Sequence, residues 1–112
     1  GKSINLTRML RSAYDEKLSS YDLLVMPTTA AKAQAIPHAG ASITQVVQSA
    51  LPLYLNGNTQ PFNATHHPAM AIPCGVSEGL PISLMLIGKH FDEPTIYRAA
   101  HAFQETIDWR SI

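Results

Sequence analysis

The stretch that most constrains the fold is AMAIPCGVSEGLPISLMLI, residues 69–87, in which a glycine-containing joint separates two apolar runs. The runs 69–73 and 81–87 have the length of β-strands, and the joint 75–79 is long enough to reverse the chain. The pattern therefore predicts an antiparallel strand pair. A strand with two apolar faces is expected at the centre of a sheet. The second run has two such faces, formed by Ile82, Leu84 and Leu86 on one side and by Met85 and Ile87 on the other.

Helical periodicity is found on both sides of this pair. Apolar residues spaced three to four apart predict an amphipathic helix over 3–18 that packs on one face. Ser42 is a suitable cap for a second helix over 43–55, which Pro52 should kink or end. Asp92 is a suitable cap for the last helix. The predicted buried face of that helix consists of Ile96, Ala99, Ala100, Phe103 and Ile107.

A further strand is predicted in YDLLVMPT, residues 21–28. Its four consecutive apolar residues indicate burial on both faces, and Pro27 should end the ladder because it has no N–H to donate. Residues 28–41 show no period and are interpreted as a long loop. Residues 59–68 are polar and are also interpreted as a loop. A helix followed by a buried strand favours an α/β fold, and 112 residues suffice for a single domain or a part of one.

The charge pattern makes a nucleic-acid partner unexpected. Lys and Arg number 8, Asp and Glu number 8, and neither sign is clustered. Charged residues make up 14% of the chain and hydrophobic residues 46%, whereas about 25% charged residues is usual. Part of the surface is therefore expected to lie against protein, either in a homo-oligomer or against more of the same chain.

Cysteine usage and the absence of membrane patterns indicate a cytoplasmic protein. Cys74 is the single cysteine, so it cannot form an internal disulfide, and this fits a reducing compartment. No apolar run reaches the ~18 residues of a membrane span, and no signal peptide is recognised. The start at Gly1, without Met, suggests a beginning cut from a longer protein.

The residues themselves supply no convincing catalytic set. Cys74 could act as a nucleophile with His66 or His67 as base, but a cysteine after an apolar strand is more typical of a packed, unreactive thiol. Adjacent histidines point in different directions, and neither Cys-x-x-Cys nor His-x-x-x-His spacing accompanies them, so neither a metal nor a cofactor is predicted. No serine lies in Gly-x-Ser-x-Gly, and neither Lys32 nor Lys89 follows a serine by three residues.

Two segments together resemble the C-terminal part of the amidase signature family: YDLLVMPT and NATHHPAMAIPCGVSEGLPISLMLIGKHFDEPTIYRAAHAFQ. The family shows D-x-L-x-x-P-T, N-x-T-G-x-P-A, P-x-G, G-L-P-x-G-x-Q-x-I-G and F-x-E, and the resemblance covers residues 15–108. His66, Ser83 and Met85 stand where the family usually has Gly, Gly and Gln. The matching residues are Asp22, Leu24, Pro27, Thr28, Asn63, Thr65, Pro68, Ala69, Pro73, Gly75, Gly79, Leu80, Pro81, Ile87, Gly88, Phe91 and Glu93.

The resemblance implies a part of the mixed-sheet amidase signature fold, with flanking helices and a C-terminal antiparallel strand pair. It implies an amidohydrolase that converts a carboxylic amide to an acid and ammonia through a Ser–cis-Ser–Lys triad. The variant His66-His67-Pro68 resembles the branch that acts on small amides after nitrile hydratases. The triad residues have no match in this chain, so no catalytic residue is carried over and the isolated chain is expected to be inactive. Thr59, Asn63 and His66 are the expected substrate-binding residues.

Two other interpretations remain open at this point. The chain could be a non-catalytic scaffold or partner-binding subunit derived from the amidase fold. It could instead be an independent hydrolase that uses Cys74 and the histidines. For the pocket itself, Asn63 could simply cap local backbone rather than contact a small-molecule amide.

Overall fold

The structure is a computed structural model that describes residues 1–55 and 57–111. The elements of the described residues are α1 (Lys2–Ser20), β1 (Leu24–Pro27), α2 (Ile43–Leu55), α3 (Gln60–Thr65), β2 (Ala69–Ser77), β3 (Leu80–Ile87) and α4 (Glu93–Thr106). The strands form one antiparallel sheet in the order β1-β3-β2, so β3 is central. The α/β class, the antiparallel pair and the central position of the last strand are thus confirmed.

The two apolar faces of β3 belong to two separate core clusters, as the alternation predicts. On one face, Leu86 is buried with Ile72 of β2 and with Ile96 and Ala100 of α4. The opposite face carries the second cluster, in which α3 and the adjoining side of α1 cover the sheet. Its members are Phe62, Met85 and Ile87, with Tyr14, Leu24 and Met26 packed against them.

The turn between β2 and β3 has two residues, both in the left-handed region of the backbone. Glu78 has φ 53° and Gly79 has φ 76°, and the flanking Ser77 and Leu80 are paired. A two-residue turn with positive φ at both positions matches the right-handed twist of the strands that it joins. Glycine adopts this conformation readily, whereas glutamate does so at a cost.

Replacing Glu78 with Asn is expected to raise the free energy of unfolding by about 0.5–1 kcal/mol, since Asn tolerates positive φ better than Glu. Glu78 also forms an exposed ion pair with Lys32, and such pairs contribute about 0–1 kcal/mol. Urea unfolding should therefore compare Glu78→Asn with the parent protein in a Lys32→Ala background, where the ion pair is absent from both. A loss of stability in that background would contradict the argument.

The structure corrects one prediction for β1 and confirms another. The strand lies at an edge of the described sheet and Val25 is 60% exposed, so it is not buried on both faces. The strand does end at Pro27, as predicted, and Pro27 is its last paired residue, opposite Leu84. One further hydrogen bond follows the strand, from the N–H of Thr28 to the carbonyl of Ser83 at 3.1 Å.

The helices also differ from the prediction in part. Ser42 caps α2 as predicted, with its hydroxyl accepting from the backbone N–H of Gln45 at 3.3 Å, but α2 continues through Pro52 to Leu55. The helix α3 was not predicted, because its sequence QPFNAT carries too few apolar residues to show a period.

Much of the apolar surface is left uncovered by the described residues. In α1, Tyr14 and Leu18 are covered, but the predicted packing is wrong for the N-terminal half, whose apolar side chains are exposed. The molecule is a slab of 49 × 46 × 16 Å with a radius of gyration of 16.8 Å, whereas about 13 Å is usual for 100 residues. None of the described helices is both long and apolar enough to cross a lipid bilayer. The exposed side chains of the two helices are Ile4, Leu6, Met9 and Leu10 of α1 and Ile43, Val46, Val47 and Leu51 of α2.

Candidate functional site

A pocket of about 340 Å³ lies where α3 meets the sheet face that carries Met85. Two of the three expected substrate-binding residues, Thr59 and Asn63, line it, whereas His66 does not. The hydroxyl of Thr28 is buried beside the same pocket and has no hydrogen-bond partner among the described residues. An unpaired buried hydroxyl is free to bind a polar group of a ligand. The remaining lining residues are Phe62, His67, Ala69, Ala71 and Met85.

The side chain of His66 is held away from this pocket by the way in which α3 ends. His66 is the C-cap of α3, with φ 63°, and its N–H donates to the carbonyl of Phe62 at 2.9 Å. Glycine is the usual residue at such a left-handed helix end because it carries no Cβ. The positive φ at this position would suit the glycine that the resembled family usually has there. His66 itself is exposed.

The neighbouring His67 is buried, and it connects the pocket to α1. The side chain of His67 is 0% exposed, its Nδ1 lies 3.0 Å from the Thr65 hydroxyl, and its Nε2 lies 3.1 Å from Oδ1 of Asp15. Sequence reasoning missed Asp15 as a member of the site. The available signal in the sequence was an acidic residue on a predicted helix, together with histidines that lie next to two predicted strands.

His90, which follows β3, completes this cluster. Its ring lies 4.1 Å from that of His67, centroid to centroid, and its Nε2 lies 3.7 Å from Oδ1 of Asp15. Burial lowers the pKa of His90, and the charges of His67 and Arg11 lower it further, while Asp15 opposes the shift. Desolvation and neighbouring positive charge thus favour the neutral imidazole.

Cys74 lies in a different place, at a β-bulge between Pro73 and Gly75. Its thiol points toward the carbonyl of Ile82, at 3.7 Å, and lines a groove of about 500 Å³ that Lys32 also borders. Bulges redirect a side chain from the regular alternation of a strand. None of the described residues lining this groove is a histidine, so the geometry does not assemble the cysteine–histidine pair of the alternative hydrolase.

Comparisons with known proteins agree on one family. A family model described as Amidase matches residues 2–97. An uncharacterized protein in the nthA 5′ region of Rhodococcus erythropolis is 37% identical over 105 residues, which cover 94% of this chain and 52% of that protein. A glutamyl-tRNA(Gln) amidotransferase subunit of Methanosarcina acetivorans is 35% identical over 111 residues, which cover 98% of this chain and 22% of that protein.

A solved structure shows the same fold. The crystal structure of a bacterial aryl acylamidase of the amidase signature enzymes family matches with a TM-score of 0.80 at 23% identity, over 95% of this chain and 22% of that one. The chain thus spans between about a fifth and about half of the length of these relatives.

Proposed function

Because this chain belongs to the amidase family, we propose that it is the C-terminal part of an enzyme that hydrolyses carboxylic amides to the acid and ammonia. The family match over residues 2–97 is the observation that carries the proposal. In the proposed mechanism, a serine outside this chain attacks the amide carbonyl and passes its proton through a second serine to a neutral lysine. The amide nitrogen takes that proton back through the second serine and leaves as ammonia, and water then hydrolyses the acyl-enzyme to release the acid. This chain would contribute the supporting sheet and one wall of the acyl pocket.

The uncovered apolar surface supports a role beside further protein. Phe91 is 93% exposed although it also adopts a left-handed backbone with φ 63°, and Ile43 is 84% exposed. A left-handed backbone costs free energy, and exposure of an aromatic side chain to water does not offset that cost. Burial of the side chain against additional protein would offset it. The slab shape agrees, since further layers of structure would cover α1 and α2.

The pocket beside α3 is the proposed acyl-binding wall. Thr59, the N-cap of α3, and Asn63 within α3 border it on one side. The hydroxyl of Thr28, which has no hydrogen-bond partner among the described residues, borders it after the end of β1. Together they offer polar atoms to an amide, while Phe62 and Met85 offer an apolar surface to its substituent. His66 remains part of the proposal as an exposed group that would reach substrate only across a surface completed by the rest of the enzyme.

The 112-residue chain by itself is expected to release no ammonia above background from simple amides such as acetamide and benzamide. The coding region upstream of Gly1, once sequenced, is expected to encode a lysine and paired serines. The longer protein product of that region is expected to hydrolyse an amide of the acetamide or the benzamide type. In that product, Asn63→Ala should lower kcat/KM by about tenfold, as for loss of one substrate hydrogen bond. The matched control is Asn5→Ala, at an exposed position of α1. Turnover by the isolated chain that ends when Cys74 is alkylated would overturn the proposal.

The similarity to an amidotransferase subunit favours a second candidate, in which the chain serves within a multi-subunit assembly. The same exposed faces of α1 and α2 would then bind a different polypeptide. Affinity purification of the longer product distinguishes the two, because the second candidate requires a partner in stoichiometric amount and the first does not. Either role is compatible with the cytoplasmic location that we propose from the single cysteine, Cys74.

A further inference from the structure

Three potential metal ligands from separate elements converge beside the pocket. They are Asp15 of α1, His67 just before β2 and His90 just after β3, and their ligand atoms all lie within 4.8 Å of one another. Oδ1 of Asp15 is 3.1 Å from Nε2 of His67 and 3.7 Å from Nε2 of His90. Ligand atoms bound to tetrahedral Zn²⁺ at about 2.0–2.2 Å lie roughly 3.3–3.6 Å apart. We propose that this cluster binds a divalent transition-metal ion, with Zn²⁺ as the representative case.

The surroundings of both rings prepare Nε2 to act as the ligand atom. Nε2 of His90 is buried without a hydrogen-bond partner among the described residues. The other ring, that of His67, places Nδ1 3.0 Å from the hydroxyl of Thr65. Metal-binding histidines characteristically hold the second ring nitrogen in such a hydrogen bond, which directs the free lone pair of the first to the ion.

An ion pair between Asp15 and His67 is the simpler explanation for part of this geometry. It accounts for the 3.1 Å contact, but Nε2 of His90 stays buried 3.7 Å from the same carboxylate, beyond hydrogen-bond length, and has no hydrogen-bond partner among the described residues. A cation bound between the three side chains would satisfy the buried Nε2 of His90 as well as the carboxylate of Asp15. The metal therefore accounts for the missing hydrogen bond at His90, which the contact between Asp15 and His67 leaves unexplained.

The charges near the cluster limit the affinity. Arg11 donates through Nε to the carbonyl of Thr65 at 2.9 Å, and its positive charge acts on His90. The carboxylate of Asp15 offsets that charge, and three protein ligands leave a fourth position for water. We expect a site weaker than a closed four-ligand site but selective for ions that prefer imidazole, so Zn²⁺ and Co²⁺ should bind in preference to Mg²⁺.

Binding should be measured on the 112-residue chain by competition between the protein and a chromogenic chelator for Zn²⁺. We expect one equivalent to bind, and we expect Asp15→Asn and His90→Ala each to weaken binding by about 100-fold or more. His101→Ala, at an exposed position of α4, and Cys74→Ser are matched controls that should bind as the parent protein does. Saturating Zn²⁺ should also raise the midpoint of thermal unfolding in the parent and the controls, because it joins α1 to the sheet, but not in the two ligand variants.

Three results would overturn the proposal: no Zn²⁺ bound by the parent protein, equal loss of binding in His101→Ala, or loss of binding only in Cys74→Ser. Circular dichroism of each metal-free variant shows whether that variant is folded. If His90→Ala proves unfolded, Asp15→Asn decides the question alone, because the Asp15 side chain is half-exposed and the substitution preserves its shape. Failure of this site would leave the proposed amide hydrolysis untouched, since no step of that reaction uses the metal.

Discussion

Replacing Ile87 with alanine is expected to lower the free energy of unfolding by about 2–5 kcal/mol, the range for large-to-small changes in a packed core. Ile87 is 0% exposed at the end of the central strand, and it packs with Phe62 and Met85. Its backbone pairs with Leu24 on one side and with Ala69 on the other, so the surroundings cannot collapse into the cavity. Urea unfolding followed by circular dichroism measures the loss. Domains are stable by only about 5–15 kcal/mol, so a loss of this size removes a large fraction of the total stability.

Val25→Ala is the matched control for this experiment. Val25 is also an aliphatic residue of the same sheet, but it is 60% exposed at the edge strand. Its truncation removes little buried surface and should cost less than about 1 kcal/mol. Similar losses in the two variants would show that burial against β3 does not dominate the stability of this chain.

Gly88→Ala is expected to cost about 1–3 kcal/mol by overpacking rather than by leaving a cavity. A Cβ at this position would lie 2.9 Å from Cγ1 and 3.0 Å from Cδ1 of Ile96, which is itself 2% exposed. The backbone cannot shift easily, because the N–H of Gly88 donates to the carbonyl of Pro68 at 3.0 Å. The same unfolding measurement reports the loss, and Gly40→Ala, with its nearest neighbour at 3.6 Å, is the control without a clash.

A double-mutant cycle tests the cause of the Gly88 effect. Ile96→Ala removes the two atoms that a Cβ on residue 88 would meet, so the double variant should lose less stability than the sum of the single variants. We expect a coupling free energy of about 1 kcal/mol or more for groups in direct contact. Additive losses would locate the strain elsewhere, for example in the backbone that leads into α4.

The sequence was sufficient to predict the elements whose pattern is complete within a few residues. Alternation in 81–87 predicted a central strand, and the capping residues Ser42 and Asp92 located the starts of α2 and α4. The sequence was not sufficient to predict burial where another segment has to cover one face of a strand or helix. The apolar run of β1 predicted burial on both sides, yet Val25 is exposed within the described residues. The hydrophobicity of a side chain predicts that it is buried, but it does not predict which segment buries it.

The candidate site was predicted less completely, for a related reason. Thr59 and Asn63 could be proposed because a resemblance pointed to their segment, and they do line one pocket. The contact between Asp15 and His67 joins residues 52 positions apart. No local spacing marks such a pair, because it exists only after α1 has docked beside α3. The short helix α3 then determines which of the two adjacent histidines turns inward, through the left-handed backbone at His66.

The 16 Å thickness of the slab has a consequence for chemistry. One helix is about 10–12 Å in diameter with its side chains, so a body this thin has no point far from bulk solvent. Acyl transfer depends on keeping stray water from the reactive ester and on a low dielectric around the developing negative charge. In the enzyme proposed above, such a dry chamber would therefore form at a seam where this sheet meets a second body of protein.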